Sequence, residues 1–336
     1  MSLVARVSLT GGETEDPEDI LFSALSVIFP DETTNQHGDA DHDVLYTSPH
    51  LPEQLHISVT DPIGEDRKLF SHFVWNSSLL LAKLVEAGTL KAAASDSGRQ
   101  DIARFQRSGP PTAIPEDPVV SEYCSVTDFD VGGKTCVEVG AGTALPSILA
   151  ALLGAKRVAI TDYPAEVVLN NLKENLSRNV KANTNESDES TPPKKNPTSS
   201  TITSVDGHEW GKFDSEAVQA GYHAFDRMFV CDCLWMPWEH DNLRKSIDWF
   251  LKEDGGDDAR CWVVAGFHTG RPKVVSFFDE DALAALSLEI EAIWERGCDD
   301  VERPWTVDRG IEDPSERKRW LVVASLKRRQ PTSASG

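Results

Sequence analysis

The chain has no apolar run approaching the roughly eighteen residues that a membrane-spanning helix needs, so none of it is expected to cross a bilayer. It also lacks a basic N-terminal stretch followed by an apolar one, and no secretory leader is expected. Cysteine is sparse and scattered as Cys124, Cys136, Cys231, Cys233, Cys261 and Cys298, with no pair at CxxC spacing. Cys136, Cys231 and Cys261 fall in apolar, strand-like runs. This usage predicts reduced core thiols of a cytosolic or nuclear protein, with cytoplasmic placement as the simplest expectation, and excludes a disulfide framework or zinc site. Positive charge is the scarcer sign: 33 Lys and Arg stand against 55 Asp and Glu, for a formal net charge of −22. Lys194-Lys195 and Arg317-Lys318-Arg319 are too short to grip a phosphate backbone, so no nucleic-acid partner is expected. An acidic surface suits solubility or a basic protein partner. His37, His42, His50 and His56 have no helical ligand spacing and are expected to be solvated loop side chains rather than metal ligands.

What is present is concentrated in Lys134-Thr-Cys-Val-Glu-Val-Gly-Ala-Gly-Thr-Ala-Leu-Pro146. Cys136 to Val139 is a short buried strand with Glu138 inside it. Gly140 and Gly142 break the strand, and Pro146 fits the first turn of a helix, where its missing N–H has no partner to lose. Ser147 to Leu153 continues as an apolar helix, stopped by Gly154. A strand, a glycine turn and a helix start let a ligand approach the backbone, with free N–H groups expected to face it.

Arg157 to Thr161 is a second strand ending at Asp162, and an acid there is placed to accept hydrogen bonds from both hydroxyls of a ribose. A dinucleotide dehydrogenase would share that layout but calls for a third glycine three residues after the second; that position is Leu145.

Along the chain, residues 1–18 are polar and acid-rich and are expected to be mobile. Asp19 to Phe29 fits a short helix, Val44–Tyr46 and Leu55–Val59 fit strands, and Leu69 to Val85 fits a helix with Gly88 just past its end. Residues 92–118 read as an insertion loop with a helical patch at Asp101–Gln106, and Asn183 to Ser204 reads as a low-complexity surface insertion. The helix Ala165–Asn179, the Trp210-Gly211 loop, a fourth strand Arg227–Cys231 ending in Asp232, a helix Trp238–Leu251 and a fifth strand Arg260–Phe267 follow. Asp281 to Arg296 is expected to be helical, with Trp305–Val307 and Arg319–Lys327 as closing strands. Alternating strands and helices predict an α/β, doubly wound, mostly parallel sheet with an antiparallel edge.

Trp75-Asn76, Glu138-Val-Gly-Ala-Gly-Thr-Ala-Leu-Pro-Ser147, Thr161-Asp-Tyr-Pro164, Trp210-Gly211 and Cys231-Asp-Cys-Leu-Trp235 occur in an order that resembles the class I S-adenosylmethionine-dependent methyltransferases. Within them the order resembles the lysine methyltransferase branch and its fungal group acting on the N-terminus and lysine of translation elongation factor 1-alpha, also labelled nicotinamide N-methyltransferase. The resemblance implies a Rossmann-like seven-stranded domain over residues 69–330, with insertions at about 92–118 and 183–204, an N-terminal extension at 1–68 and a tail at 331–336. It implies S-adenosyl-L-methionine as cofactor, with Trp75, Glu138, Gly140, Ala141, Gly142, Asp162, Tyr163, Trp210 and Cys231 as its binding residues. Asp232 is the candidate catalytic residue, holding the substrate amine or taking its proton through water. Trp235 and Trp238 are candidate walls of a slot for that amine. The implied substrate is a basic protein such as elongation factor 1-alpha, methylated on lysine or the N-terminal amine. A small-molecule N-methyltransferase acting on nicotinamide, and a cofactor-binding scaffold without turnover, are the alternatives. Departures from the family pattern at Cys233-Leu-Trp235 and His268-Thr-Gly-Arg271 lie on the substrate side.

Overall fold

The computed structural model describes residues 3–10, 35–39, 41–51, 53–60, 73–99, 121–180, 201–253 and 258–330. In chain order the elements are β1 (Val7–Leu9), β2 (Gln36–His37), β3 (Val44–Tyr46), β4 (Leu55–Ile57), β5 (Val74–Trp75), α1 (Asn76–Ser95), β6 (Thr135–Val139), α2 (Leu145–Leu152), β7 (Arg157–Asp162) and α3 (Glu166–Asn179). They continue as β8 (Ile202–Gly207), α4 (Glu216–Gln219), β9 (Arg227–Cys231), α5 (His240–Phe250), β10 (Arg260–Gly266), α6 (Arg271–Val275), α7 (Glu280–Ala284), β11 (Leu288–Gly297), β12 (Glu302–Pro304), α8 (Pro314–Lys318) and β13 (Trp320–Arg328).

The main sheet runs β12-β11-β13-β10-β9-β6-β7-β8. From β8 to β10 neighbouring strands are parallel, and β13 pairs antiparallel with both β10 and β11. This is the expected doubly wound architecture. Among the described residues it holds eight strands rather than seven, because β12 pairs with β11 at the edge. From β6 the chain steps outward to β7 and β8, then crosses back to β9 on the other side of β6. The strand order therefore reverses between β6 and β9, and a doubly wound sheet opens its ligand crevice at the carboxyl ends of the strands flanking such a point.

Strand alternation sorts the core into two layers. Cys136, Val158, Ile160, Phe229, Trp262 and Val264 pack with Leu79, Leu80 and Leu84 of α1, Ile148 of α2 and Val168 and Leu172 of α3. Val137, Val139, Met228, Val230, Val263 and Ala265 face the opposite way, toward Leu243, Ile247 and Phe250 of α5. Helix α1 extends well beyond the expected end at Val85, and Gly88 lies inside it. A Cβ at Gly88 would stand 2.4 Å from Val126 O and 2.9 Å from Phe129 Cβ, so this glycine permits close backbone approach rather than ending the helix.

Four further expectations are corrected. Asp281 to Arg296 is not one helix: α7 ends at Ala284, Ser287 adopts a left-handed φ of 56°, and β11 begins at Leu288. Trp305–Val307 is not a strand; the edge strand is Glu302–Pro304. Residues 3–9 are ordered, with Leu3 fully buried and its N–H donating to Cys298 O at 2.8 Å. Ile202–Ser204 belongs to β8 rather than to an insertion. The expected helix Asp19–Phe29, the patch Asp101–Gln106 and residues 183–200 lie outside the described residues.

The antiparallel sheet β1-β3-β4 is tied to α3 by asparagine side chains. Asn179 Oδ1 accepts the His56 N–H at 2.9 Å, and Asn175 Oδ1 accepts the Ser58 N–H at 2.8 Å. Arg6, buried beside α1, pairs with Glu86 at 2.8 Å. His37 is buried rather than solvated, its Nε2 2.8 Å from Asn76 Oδ1. Asn76 also donates to Cys298 Sγ at 3.4 Å, so it fixes the start of α1.

Candidate active site

A cavity of about 280 Å³ opens at the carboxyl ends of β6, β7, β8, β9 and β10, where the strand order reverses. Its floor is the bend after β6. Gly140 and Gly142 adopt left-handed φ of 70° and 57°, and Ala144 follows at 62°. A Cβ on Gly140 would lie 2.7 Å from Cys233 Sγ and 3.2 Å from Trp210 Cζ2. Glycine is therefore required there by both conformation and space. The expected free N–H groups are corrected: Gly140 and Ala141 both donate to Thr161 O, at 3.0 and 3.1 Å, and Gly142 donates to Asp162 Oδ2 at 2.7 Å. These three amides are therefore spent on the shape of the bend itself.

Asp162 thus faces the glycine bend. Its other oxygen accepts the Tyr163 N–H at 2.7 Å. Burial pushes its pKa up to about 6, against the pull of the Gly142 and Tyr163 N–H groups. Each carboxylate oxygen retains acceptor capacity beyond the one bond it makes to the backbone.

Strand β9 ends in Cys231, and Asp232 turns sharply with a φ of 56°. Its N–H donates to Val264 O at 2.8 Å, and its Oδ1 accepts the Gly266 N–H at 3.2 Å. His268 Nε2 lies 3.8 Å from the same oxygen, and its ring stacks on Trp75 with centroids 5.0 Å apart. Burial raises the Asp232 pKa, opposed by His268 and the Gly266 N–H. Burial likewise pushes the thiols of Cys231 and Cys233 well above their usual range, so both are neutral walls rather than thiolate nucleophiles. Trp235 and Trp238 meet edge to face at the rim, centroids 6.4 Å apart.

Trp75, Gly140, Ala141, Gly142, Asp162, Tyr163, Trp210, Cys231 and Asp232 all line this one cavity. Glu138 does not. Strand alternation turns it away from Val137 and Val139, into the layer beneath α2, where it is fully buried. There Glu138 Oε2 accepts the Ser147 N–H at 3.2 Å, bracing the start of α2. Burial pushes its pKa to about 8.

Sequence reasoning puts the Cys233 and His268 segments on the substrate side but gives neither residue a role in the site. Cys233 sits against the glycine bend, its thiol 3.5 Å from Val139 O. His268 follows β10, and its position just past a strand's carboxyl end was the available signal. His208, after β8, also lines the cavity; its Nε2 meets Ser246 Oγ at 3.0 Å, and burial lowers its pKa to about 4.

A glycine bend facing an acid-tipped second strand, at the reversal point of a doubly wound sheet, is the place where open α/β sheets seat their ligands. No family model matches the chain, but it has sequence relatives. The chain is similar to the protein N-terminal and lysine N-methyltransferase EFM7 of Gibberella zeae, 31% identical over 179 residues that cover 50% of this chain and 62% of that protein. It is 36% identical to the Yarrowia lipolytica protein of the same name over 166 residues, covering 48% and 57% of the two chains. The Schizosaccharomyces pombe protein of that name is 26% identical over 266 residues, covering 74% of this chain and 80% of the relative. The match thus spans less than two thirds of the first two relatives.

Proposed function

We propose that this chain is an S-adenosyl-L-methionine-dependent N-methyltransferase that methylates a lysine or N-terminal amine of a basic protein, with translation elongation factor 1-alpha as the leading candidate. The observation that carries this reading is the convergence of Asp162, the Gly140–Gly142 bend and Asp232 on one aromatic-walled cavity. Similarity to proteins named as protein N-terminal and lysine N-methyltransferases supports it.

The residues present fit the cofactor. Gly140 lets Cys233 and Trp210 pack closely against the bend, while a Cβ on Gly142 would meet nothing within 4 Å, so the space beside Gly142 is free for a flat, extended ligand. Asp162 would hold the ribose hydroxyls, and Trp210 would lie by the adenine and stack on it. Trp75 and Cys231 would flank the reacting end. When bound, the cofactor supplies a methyl group already made electrophilic by its sulfonium.

The protein then has two tasks: to align the amine and to keep it unprotonated. A lysine amine is protonated near neutral pH, with an ordinary pKa of about 10.4. An aromatic slot disfavours that charge by desolvation, and Trp235 and Trp238 are placed to form one. Asp232 would hold the amine by a hydrogen bond. Trp238 is 70% exposed, which leaves the rim open to a protein segment; a pyridine such as nicotinamide needs no deprotonation and is better served by a closed pocket.

Incubation with labelled cofactor and a fungal lysate tests the reading, with nicotinamide in a parallel reaction. A labelled protein band whose methyl group maps to a lysine or N-terminal nitrogen supports it. Labelling of nicotinamide alone would replace it with the small-molecule activity. Saturable cofactor binding with no transfer to any acceptor would leave a scaffold.

A further inference from the structure

We propose that His268 is the proton acceptor for the substrate amine, and that Asp232 acts on the reaction partly by holding the resulting imidazolium. This rests on the amine methyltransferase reading above and adds a residue that reading does not use.

Three geometric facts carry it. His268 lines the cavity at the end of β10, on the side of the reacting strand ends. Its Nε2 is 3.8 Å from Asp232 Oδ1, a carboxylate fixed by the Gly266 N–H and by the turn after β9. Its ring plane is set by stacking on Trp75, with an interplanar angle of 19°. A base, a carboxylate that stabilises its charged form and a platform that orients it thus meet on one wall. Imidazole is the side chain suited to taking and releasing a proton near neutral pH.

The other titratable groups on the wall are less suited. His208 is held neutral by burial and engaged with Ser246 on the far side, after β8. Asp162 is bound to the glycine bend. Among the described residues, Asp232 is the carboxylate within 4.0 Å of the His268 nitrogens; Glu209 and Glu239, also on the wall, form no such pair with it. The cysteine thiols hold their protons.

In the step, one N–H bond of the substrate ammonium breaks and its proton passes to the imidazole, leaving the nitrogen lone pair free. The N–C bond then forms as the methyl group leaves the sulfonium donor, whose sulfur keeps the electron pair of the broken S–C bond. The product is a methylated ammonium and a thioether, and the imidazolium returns its proton to solvent.

Two measurements test the role. First, the His268 imidazole signals are recorded by NMR in the ligand-free protein at one pH and assigned by their loss in His268→Asn. Asp232→Asn is expected to move them, because the carboxylate 3.8 Å from Nε2 is gone; unmoved signals would overturn the pairing. Second, kcat/KM for the labelled protein acceptor is followed from pH 6 to pH 10 (about). His268→Asn is expected to lose about 100-fold or more near pH 7, with the deficit shrinking toward pH 10, where free amine comes from solution. An equal deficit at every pH would overturn proton acceptance and leave positioning. A wild type that binds S-adenosylhomocysteine but methylates no amine would refute the functional reading itself, and that outcome is separable because the NMR comparison needs neither cofactor nor acceptor.

Discussion

Placing a single methyl group on Gly140 probes the floor of the cavity. Two costs arise in Gly140→Ala. A left-handed φ of 70° costs an alanine about 1–2 kcal/mol. The new Cβ would also stand 2.7 Å from Cys233 Sγ and 3.2 Å from Trp210 Cζ2. Cys233 is 4% exposed and packed against the backbone of β6, so it has little room to retreat, and overpacking of this kind costs about 1–3 kcal/mol. The expected loss is about 2–5 kcal/mol in urea unfolding. The two parts separate in a double-mutant cycle: Cys233→Ala removes the sulfur but leaves φ unchanged. In that background Gly140→Ala should cost the conformational part and the milder crowding of Trp210, giving a coupling of about 1–3 kcal/mol between the sites. Calorimetry with S-adenosylhomocysteine on the folded single variant should show weakened binding, since Trp210 must move. A Gly140→Ala protein within about 0.5 kcal/mol of wild type, or a cost unchanged by removing the sulfur, would refute the close-packed floor.

Three other outcomes are expected. Affinity for S-adenosylhomocysteine should rise as pH increases through about 6, where Asp162 ionises and becomes the stronger acceptor for ribose hydroxyls; calorimetry from acid to neutral pH checks this. Glu138 keeps its proton in the folded chain up to about pH 8 but releases it near 4.5 when unfolded. The folded state therefore binds more protons between those values, and rising pH costs stability across that window, at most about 5 kcal/mol; Glu138→Gln should flatten this slope in urea melts recorded at several pH values. Trp238→Ala should raise KM for the protein acceptor several-fold while leaving S-adenosylhomocysteine affinity within about twofold, because a ring 70% exposed at the rim serves the acceptor side; equal losses in both would reassign it to the cofactor.

The glycine-bend side of the cavity was legible because local rules dictate it. A β-branched strand, two glycines, a proline in the first turn of α2 and an acid at the next strand's end leave few arrangements open. Glu138 was misplaced although the alternation that turns it from Val137 and Val139 is visible in sequence; motif membership outweighed period two. Strand β11 was hidden because Leu288-Glu289-Ile290-Glu291-Ala292 mixes an alternating pattern with strong helix formers, and pairing with β13 overrides their propensity. The Asp232–His268 pair brings together residues from the turns after β9 and β10, a tertiary fact that spacing along the chain does not encode.

The central claim is that the cavity lined by the glycine bend and Asp162 binds an adenosyl cofactor. Titration calorimetry of wild type and Asp162→Ala with S-adenosylhomocysteine at pH 7.5 (about) addresses it directly. Saturable binding at one site per chain is expected for wild type, weakened roughly 10- to 100-fold by Asp162→Ala through loss of hydrogen bonds to a charged acceptor. No saturable binding to wild type, or equal affinity for both proteins, would contradict it.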